Sequence, residues 1–249
     1  MMRKMFAAPE GYEIVSMDYS NLEVKVLAYI TQDEVFIEDV NTGNVHNVNC
    51  HNIYGLTPEH ELWTPARSAT KTFQFACIQY GGSVKETWQM MLVQFPQIQI
   101  LMKTIENAHD AYFERYKRFA EWRVETETLT REEHITRSAF GRVRQLYGKE
   151  DQCIRQGYNF PAQATAAGVM NRVQSEACLA RTKYKIDAKL QLEVYDDLRW
   201  LCKKTDTKKL IKIIKPIMEQ EFDIFGTIRN FPIDIETGPN WADLKEFKE

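Results

Sequence analysis

Two strand-like segments that end in aspartate lie near opposite ends of the sequence, and this arrangement constrains the fold more than any other feature. The apolar segment Tyr12–Met17 predicts a short buried strand, and Asp18 follows it directly. Near the other end, apolar residues alternate on both sides of Asp196 and Asp197, which is typical of a β-hairpin with acids in its tight turn. The sequence therefore predicts an α+β fold, in which an antiparallel sheet carries the acids and a large helical insertion separates its strands.

The insertion contains clear helix signals. A capping box at 20–23 precedes apolar residues at helical spacing. Thr64 followed by Pro65 predicts another helix start, and that helix should run to about Tyr80, where two glycines end it. We expect two helices over 84–127, broken near a proline.

Four further elements are expected after the insertion's first helices. They are a turn or short hairpin at 140–146, an alanine-rich helix from Pro161 through Ala180, a helix over 208–225 and an edge strand over 231–238.

Composition narrows the class of protein. The 249 residues are 44% hydrophobic, so the chain can bury a core in one domain or two closely associated ones. No apolar run approaches the roughly 18 residues that a membrane helix needs, and the first residues lack the pattern of a signal peptide. The five cysteines form no CxxC pair, which favours reduced thiols and a cytoplasmic location.

The charge balance is not typical of a nucleic-acid-binding protein. The formal net charge is −3, whereas a strongly basic face is the usual mark of phosphate binding. Any basic surface must therefore be local or must come partly from another chain.

Asp18 and Asp196 are candidates for phosphoryl-transfer chemistry. Carboxylates at neighbouring strand ends can hold two hard Mg²⁺ ions, which bind the attacking and leaving oxygens of a phosphoryl group. Each aspartate alone has an ordinary alternative as a helix cap or a turn residue.

The helix after Thr64 carries a possible phosphate site. Arg67 and Lys71 lie four residues apart on one face, with Phe75 a further turn along, so this face can bind a triphosphate and stack on a base. The alternative is a solvated basic face with a phenylalanine in the core.

In their order along the chain, these segments resemble the motifs of the family A (bacterial polymerase I-like) DNA polymerases. Five segments carry the resemblance: Asp18–Glu23 for motif A, Arg67–Phe75 with Tyr80 and Gly81 for motif B, Arg155–Ala167 for the segment that faces the primer–template, Val194–Asp197 for motif C, and Gly238–Trp241 for the C-terminal signature.

The resemblance implies a palm and fingers organisation. The palm would comprise 1–30 and 154–249, and the fingers 31–153 with the motif B helix at about 65–80. The family's thumb, exonuclease and first palm segment precede motif A and are absent here. This suggests a phage-type split polymerase whose separate partner chain supplies thumb, remaining palm and an exonuclease-like domain; a cloned fragment is the alternative.

The resemblance also implies metal and catalytic roles. Asp18 and Asp196, with the backbone of Tyr19, would bind two Mg²⁺ ions, for which Mn²⁺ can substitute. Asp197 stands where the family has glutamate and would be a supporting ligand. Lys71 would protonate the pyrophosphate leaving group.

Other positions would bind the nucleotide and the DNA. Glu23 matches the gate that excludes a ribose 2′-hydroxyl. The remaining correspondences are Arg67, Lys71 and His46 for the triphosphate, Phe75 and Tyr80 for the nucleotide pocket, Arg155, Asn159 and Gln163 for the minor groove, and Tyr195 for the primer strand. Strict motif B spacing places Gln79 at the pocket tyrosine, and a π-bulge would bring Tyr80 to that face instead.

The function implied is template-directed DNA synthesis from dNTPs, serving phage genome replication, in a host cytoplasm. Two alternatives stay open. A single-subunit RNA polymerase shares this chemistry, but it would carry a small residue at position 23. A non-catalytic DNA-binding or scaffolding subunit would have no use for Asp18 and Asp196.

Overall fold

The computed structural model describes residues 2–43 and 45–248 and divides into two compact units. Met1–Glu23 and Thr165–Glu249 form the first, called the sheet unit below. Val24–Ala164 forms the second, called the helical unit. The predicted α+β class is confirmed.

The sheet unit is built on five strands in which every neighbouring pair is antiparallel, as predicted. Their spatial order is β4-β5-β1-β8-β9, so the first strand of the chain lies in the middle. The strands are β1 (Tyr12–Tyr19), β4 (Ala188–Val194), β5 (Asp197–Lys203), β8 (Ile233–Gly238) and β9 (Lys245–Glu246).

The register of β1 separates polar from apolar side chains. Val15 and Met17 are fully buried, whereas Ser16 and Asp18 point to the opposite face because side chains alternate along a strand. Asp18 pairs with Asp197 on β5 and with Asp234 on β8. One face of the central strands therefore collects acids.

Helix α9 (Thr207–Met218) covers part of this unit with an apolar stripe that includes Leu210 and Ile214. The helix predicted over 208–225 is too long, because the chain turns at Phe225 and Gly226, both at positive φ, and forms the hairpin of β6 (Phe222–Ile224) and β7 (Thr227–Arg229). The expected edge strand is also wrong: β8 lies between β1 and β9, because the chain returns after Gly238 to pair again.

The helical unit consists of helices and one small hairpin. Residues 84–133 form three helices, whereas two were expected. The second expected helix is divided in two because Tyr116, with φ −105° and ψ 73°, departs from helical geometry. The helices are α1 (Leu22–Thr31), which begins in the sheet unit, α2 (Glu34–Asn41), α3 (Val45–Tyr54), α4 (Trp63–Phe73), α5 (Val84–Gln94), α6 (Met102–Arg115) and α7 (Lys117–Glu133), and the predicted hairpin is β2 (Ile135–Arg137) with β3 (Val143–Gln145).

A long helix, α8 (Glu150–Lys183), belongs to both units. It begins eleven residues before Pro161, where the sequence suggested that it starts. Proline removes one helical hydrogen bond and crowds the carbonyl of Gly157, four residues earlier, but a 34-residue helix has enough other hydrogen bonds to continue.

Two expectations about the environment of the chain can be compared with the structure. Within residues 2–43 and 45–248, no helix combines the length and apolar character needed to cross a membrane. All five cysteines are free thiols.

Gly157 generates a stability prediction. An alanine in a helix is usually up to about 1 kcal/mol better than glycine, but a Cβ here would collide with the Thr130 hydroxyl. Gly157→Ala should therefore lower the free energy of unfolding by about 1–2 kcal/mol. In a Thr130→Ala background, where the obstructing oxygen is gone, the same change should be neutral or stabilising. Chemical denaturation of the four proteins measures the coupling, and equal effects in both backgrounds would contradict the packing argument.

Candidate active site

Asp18 and Asp196 come together at one end of the sheet. Asp18 is the penultimate residue of β1, and Asp196 lies in the two-residue turn between β4 and β5. The backbone N–H of Tyr19 donates a hydrogen bond of 3.1 Å to the carbonyl oxygen of Asp196, which joins the two strand ends directly. Tyr195, the other turn residue, has φ 59° and is 91% exposed.

Burial and neighbouring acids raise the pKa of both Asp18 and Asp196. Partial loss of water, followed by the charges of Asp196, Asp197 and Asp234, raises the pKa of Asp18 to about 7, although Asp18 keeps contact with solvent. Loss of water and the charge of Asp197 also raise the pKa of Asp196. Like charges held this closely favour a bound cation.

The donor set fits Mg²⁺ bound by few protein groups. Within the described ranges, no group of three or more His, Cys, Asp or Glu side chains is arranged to hold a metal ion. Mg²⁺ commonly takes only one or two carboxylates, and substrate phosphates and water complete its six oxygen ligands. Asp18 and Asp196 match that requirement.

Asp197 has a different environment from its two neighbours. The Ser16 hydroxyl donates to Asp197 Oδ1 at 2.7 Å, and Arg199 Nε donates to Oδ2 at 2.5 Å. The sequence analysis missed Ser16 and Arg199. Alternation along a strand places Ser16 on the face of Asp18, and Arg199 on the face of Asp197. Only the register between the two strands shows that Ser16 and Arg199 both reach Asp197.

Asp234 is a fourth acid on this face that the sequence analysis missed. It lies directly opposite Asp18, and the Ser20 hydroxyl donates to its Oδ2 at 2.6 Å. Ser20 therefore binds Asp234, and the chain enters α1 through Asn21 at φ 58°. Glu23, which was expected to share a capping box with Ser20, is half-buried in the first turn of α1.

In the helical unit, Arg67 and Lys71 lie one turn apart on α4, as predicted. Arg67 Nε donates to Asn47 Oδ1 at 2.7 Å, which fixes the guanidinium against α3. Burial first, and the charge of Arg67 second, lower the pKa of Lys71. Two cations so close to each other would be relieved by an anion such as a phosphate.

His46 belongs to the same cluster but is buried. Its Nδ1 forms a short hydrogen bond with Gln74 Oε1, and its ring lies 6.5 Å from that of Phe75. Burial is the main cause that lowers its pKa to about 4, and Lys71 and Arg67 lower it further, so His46 is neutral at pH 7. Its Nε2 has no hydrogen-bond partner among the described residues. In the absence of a bound anion, His46 therefore adds no positive charge to this cluster.

A π-helical segment, Gln74–Gln79, follows α4 directly. The N–H of Tyr80 bonds the carbonyl of Phe75 at 2.9 Å, five residues back, which is the hydrogen bond of a π-turn. Of the two options that the motif B spacing left open, the structure contains the π-bulge. Gln79 is buried, whereas Tyr80 is half-exposed with its ring 6.2 Å from that of Phe75.

Arg155, Asn159 and Gln163 follow one another at four-residue spacing on α8 and form one stripe. Arg155 and Gln163 are exposed and Asn159 is half-buried. Asn159 Oδ1 lacks a hydrogen-bond partner within the described ranges. Arg155 and Gln163 therefore present hydrogen-bond donors and an amide acceptor at the surface, whereas the Oδ1 atom of Asn159 is buried.

The acid cluster predicts a pH dependence of stability. Since the pKa of Asp18 is higher in the folded than in the unfolded protein, metal-free protein should lose stability as pH rises from about 4 to about 7. At pH 8 in EDTA, Asp18→Asn should raise the melting temperature by roughly 2–4 °C, which allows for solvent screening. Thermal melts from pH 5 to 8 measure this. The exposed Asp110→Asn is the control, and an Asp18→Asn protein no more stable than wild type would contradict it.

The amino-acid sequence is similar to those of known proteins of one family. The sequence profile of DNA polymerase family A matches residues 1–243. Thermostable DNA polymerase I of Thermus aquaticus is 25% identical over 253 residues, covering 98% of this chain and 29% of the relative. DNA polymerase I of Pseudomonas aeruginosa is 24% identical over 97% of this chain and 26% of the relative.

The fold has a close structural counterpart. The POL domain of Pol1 from M. smegmatis, solved in complex with DNA primer-template and dNTP, superimposes with a TM-score of 0.79 at 21% identity, over 97% of this chain and 42% of that one. The present chain spans less than a third of the length of the curated relatives above. Because the family profile matches nearly all of its residues, the chain belongs to DNA polymerase family A.

Proposed function

We propose that this chain carries out template-directed DNA synthesis, adding dNTPs to a primer 3′ end by two-metal-ion phosphoryl transfer. The observation that carries the proposal is the junction of Asp18 with Asp196, made by the hydrogen bond between Tyr19 N–H and Asp196 C=O. Membership of DNA polymerase family A supports the reaction class. Replication of a phage genome is included in this proposal as its setting.

Asp18 and Asp196 would hold the divalent cations, with the Tyr19 backbone as a further ligand. When bound, Mg²⁺ would lower the pKa of the primer hydroxyl and stabilise charge on the transferred phosphoryl group. The chain itself contributes a fixed pair of oxygen donors, because both aspartates stand on hydrogen-bonded strand ends. The raised pKa of Asp18 means that cation binding competes with a proton near neutral pH.

Arg67 and Lys71 on α4 would bind the triphosphate. The lowered pKa of Lys71 suits the proposed transfer of its proton to the pyrophosphate leaving group, since a weaker ammonium acid gives up its proton more readily. Phe75 and Tyr80 would line the nucleotide pocket. His46, neutral and bonded to Gln74, would support this helix and contribute at most a neutral contact to the triphosphate.

Primer–template DNA would be contacted by Arg155, Asn159, Gln163 and Tyr195. The net charge of −3 gives the chain no overall excess of positive charge for the phosphates of a duplex. We therefore propose that protein outside these 249 residues shares the DNA, either on a separate chain with thumb, remaining palm and an exonuclease-like domain or on a longer polypeptide.

Loss of either metal-binding aspartate should abolish synthesis. Asp18→Ala and Asp196→Ala should each reduce incorporation on a primed template at least about a thousandfold, because the site keeps only one of its two carboxylates. Single-turnover primer extension with Mg²⁺ measures this, and Asp110→Ala on α6 is the control.

The same assay tests the competing functions. No incorporation by the wild-type chain at any DNA or metal concentration would favour a non-catalytic subunit. Processive synthesis by the chain alone would refute the need for additional DNA-holding protein.

Glu23 should set the choice of sugar. If its half-buried carboxylate excludes a 2′-hydroxyl, Glu23→Ala should reduce discrimination of dNTPs over rNTPs by roughly a hundredfold, the range available to a steric and polar pocket. The ratio of kcat/KM for the two nucleotide classes measures this, with Glu23→Gln as the control that keeps the side chain's size. Equal use of rNTPs by wild type would instead identify an RNA polymerase-like enzyme.

A further inference from the structure

Asp197 stands beside the two metal-binding aspartates, yet both of its carboxylate oxygens are already engaged. Oδ1 accepts from Ser16 Oγ at 2.7 Å. Oδ2 accepts from Arg199 Nε and lies 2.5 Å from its Nη2. Two oxygens bound by strong donors are poorly placed to coordinate an ion as well.

This arrangement follows from the sheet register. Ser16 on β1 pairs with Arg199 on β5, and Asp18 pairs with Asp197 in the same ladder. Asp197 and Arg199 are two residues apart on one strand, so their side chains share a face. The three side chains are therefore neighbours by backbone geometry alone, and we call Ser16, Asp197 and Arg199 the clamp.

The clamp lies inside the protein. Ser16 is 3% exposed, Asp197 is 5% exposed and the Arg199 side chain is 13% exposed. A buried carboxylate would be unfavourable without its cation, so Arg199 and Asp197 depend on each other.

Trp241 covers the clamp. The guanidinium carbon of Arg199 lies 4.0 Å from the centre of the Trp241 ring, well within cation–π range. Phe6 packs against the same ring at 5.3 Å, edge to face. The indole of Trp241 therefore packs over the guanidinium and helps to hold Arg199 beside Asp197.

The charge of Arg199 also reaches beyond its partner. Ser16 pairs with Arg199 and Asp18 pairs with Asp197 in the same ladder, so the guanidinium and the carboxylate of Asp18 lie on one face of the sheet. Arg199 is thus a permanent cation built next to the place where metal ions are expected.

We propose that Arg199 and Ser16 are positioning residues that hold Asp197 away from the metal ions. Asp18 and Asp196 are then the carboxylate ligands. The Asp197–Arg199 pair is an electrically neutral unit, and its two charges together set the affinity of the site for metal ions. The proposal rests on the proposed function, because it concerns the same metal site. It changes the expectation for Asp197 from supporting ligand to partner of a fixed cation.

Metal binding in the absence of DNA and nucleotide tests the proposal. The free Mn²⁺ signal in electron paramagnetic resonance, followed as the full chain is titrated, gives the Kd for Mn²⁺ without any need for activity. Arg199→Gln removes the cation and should tighten binding about three- to tenfold, the scale of one nearby charge in a partly solvated site. Asp197→Asn leaves Arg199 uncompensated and should weaken binding by a similar factor.

The double variant separates the two roles of Asp197. If the pair acts as a neutral unit, Asp197→Asn with Arg199→Gln should return the Kd to within about twofold of wild type. If Asp197 is a ligand, the double variant lacks that ligand and binds Mn²⁺ well outside twofold of the wild-type Kd, and the proposal is overturned. Arg199→Lys keeps the charge, so its Kd should also stay within about twofold of wild type.

Two further results complete the test. Asp196→Asn should weaken Mn²⁺ binding far more than Asp197→Asn, and equal losses would again overturn the proposal. If the wild-type chain binds no Mn²⁺, both the proposed function and this inference fail, whereas wild-type binding with the wrong pattern among the variants sinks only the inference. Circular dichroism melts identify any variant that does not fold, and the charge-conserving and double variants then still decide.

Discussion

The antiparallel pairing of β1 between β5 and β8 is the constraint on which the sheet unit depends. Its hydrogen bonds fix which residue stands opposite which, and they place the carboxylates of Asp18, Asp197 and Asp234 and the guanidinium of Arg199 on a single face. A shift of one residue in β1 would turn Asp18 into the core and bring Met17 to the surface. The fully buried Val15 and Met17 oppose that shift, so the apolar core specifies the position of the acids.

Because the apolar core fixes the register of β1, the sheet can hold the acids close together despite their mutual repulsion. Asp18, Asp196 and Asp234 raise the free energy of the metal-free fold, and the raised pKa of Asp18 reports that cost. Functional sites commonly carry such a cost because the surrounding structure compensates for it. Here the compensation comes from sheet pairing, from Ser20 bonded to Asp234, and from Arg199 bonded to Asp197.

Sequence reasoning found the features that depend on local pattern. An apolar run located β1, alternating apolar residues located the β4–β5 hairpin, and the start signal at Thr64 and Pro65 located α4. The π-bulge after α4 was one of two options that the motif B spacing left open. It failed where tertiary pairing decides, as at β8, whose neighbours on both sides cannot be inferred from its own residues. It also began a helix at Pro161, whereas α8 begins at Glu150, because one proline does not end a helix of this length. The roles of Ser16, Arg199 and Asp234 were not predicted for the same reason as the position of β8. Each role depends on a residue of another strand, which the local sequence does not reveal.

The π-helical turn after Lys71 decides which residue stands at the end of this helical segment. A π-turn holds one residue more than an α-turn, so the extra residue is taken up locally within Gln74–Gln79. Tyr80 therefore takes up approximately the angular position that residue 79 would have in an uninterrupted α-helix, where successive residues are about 100° apart. Arg67 and Lys71 precede the turn and keep their α-helical spacing. The basic end and the aromatic end of the segment are consequently built on two different backbone geometries.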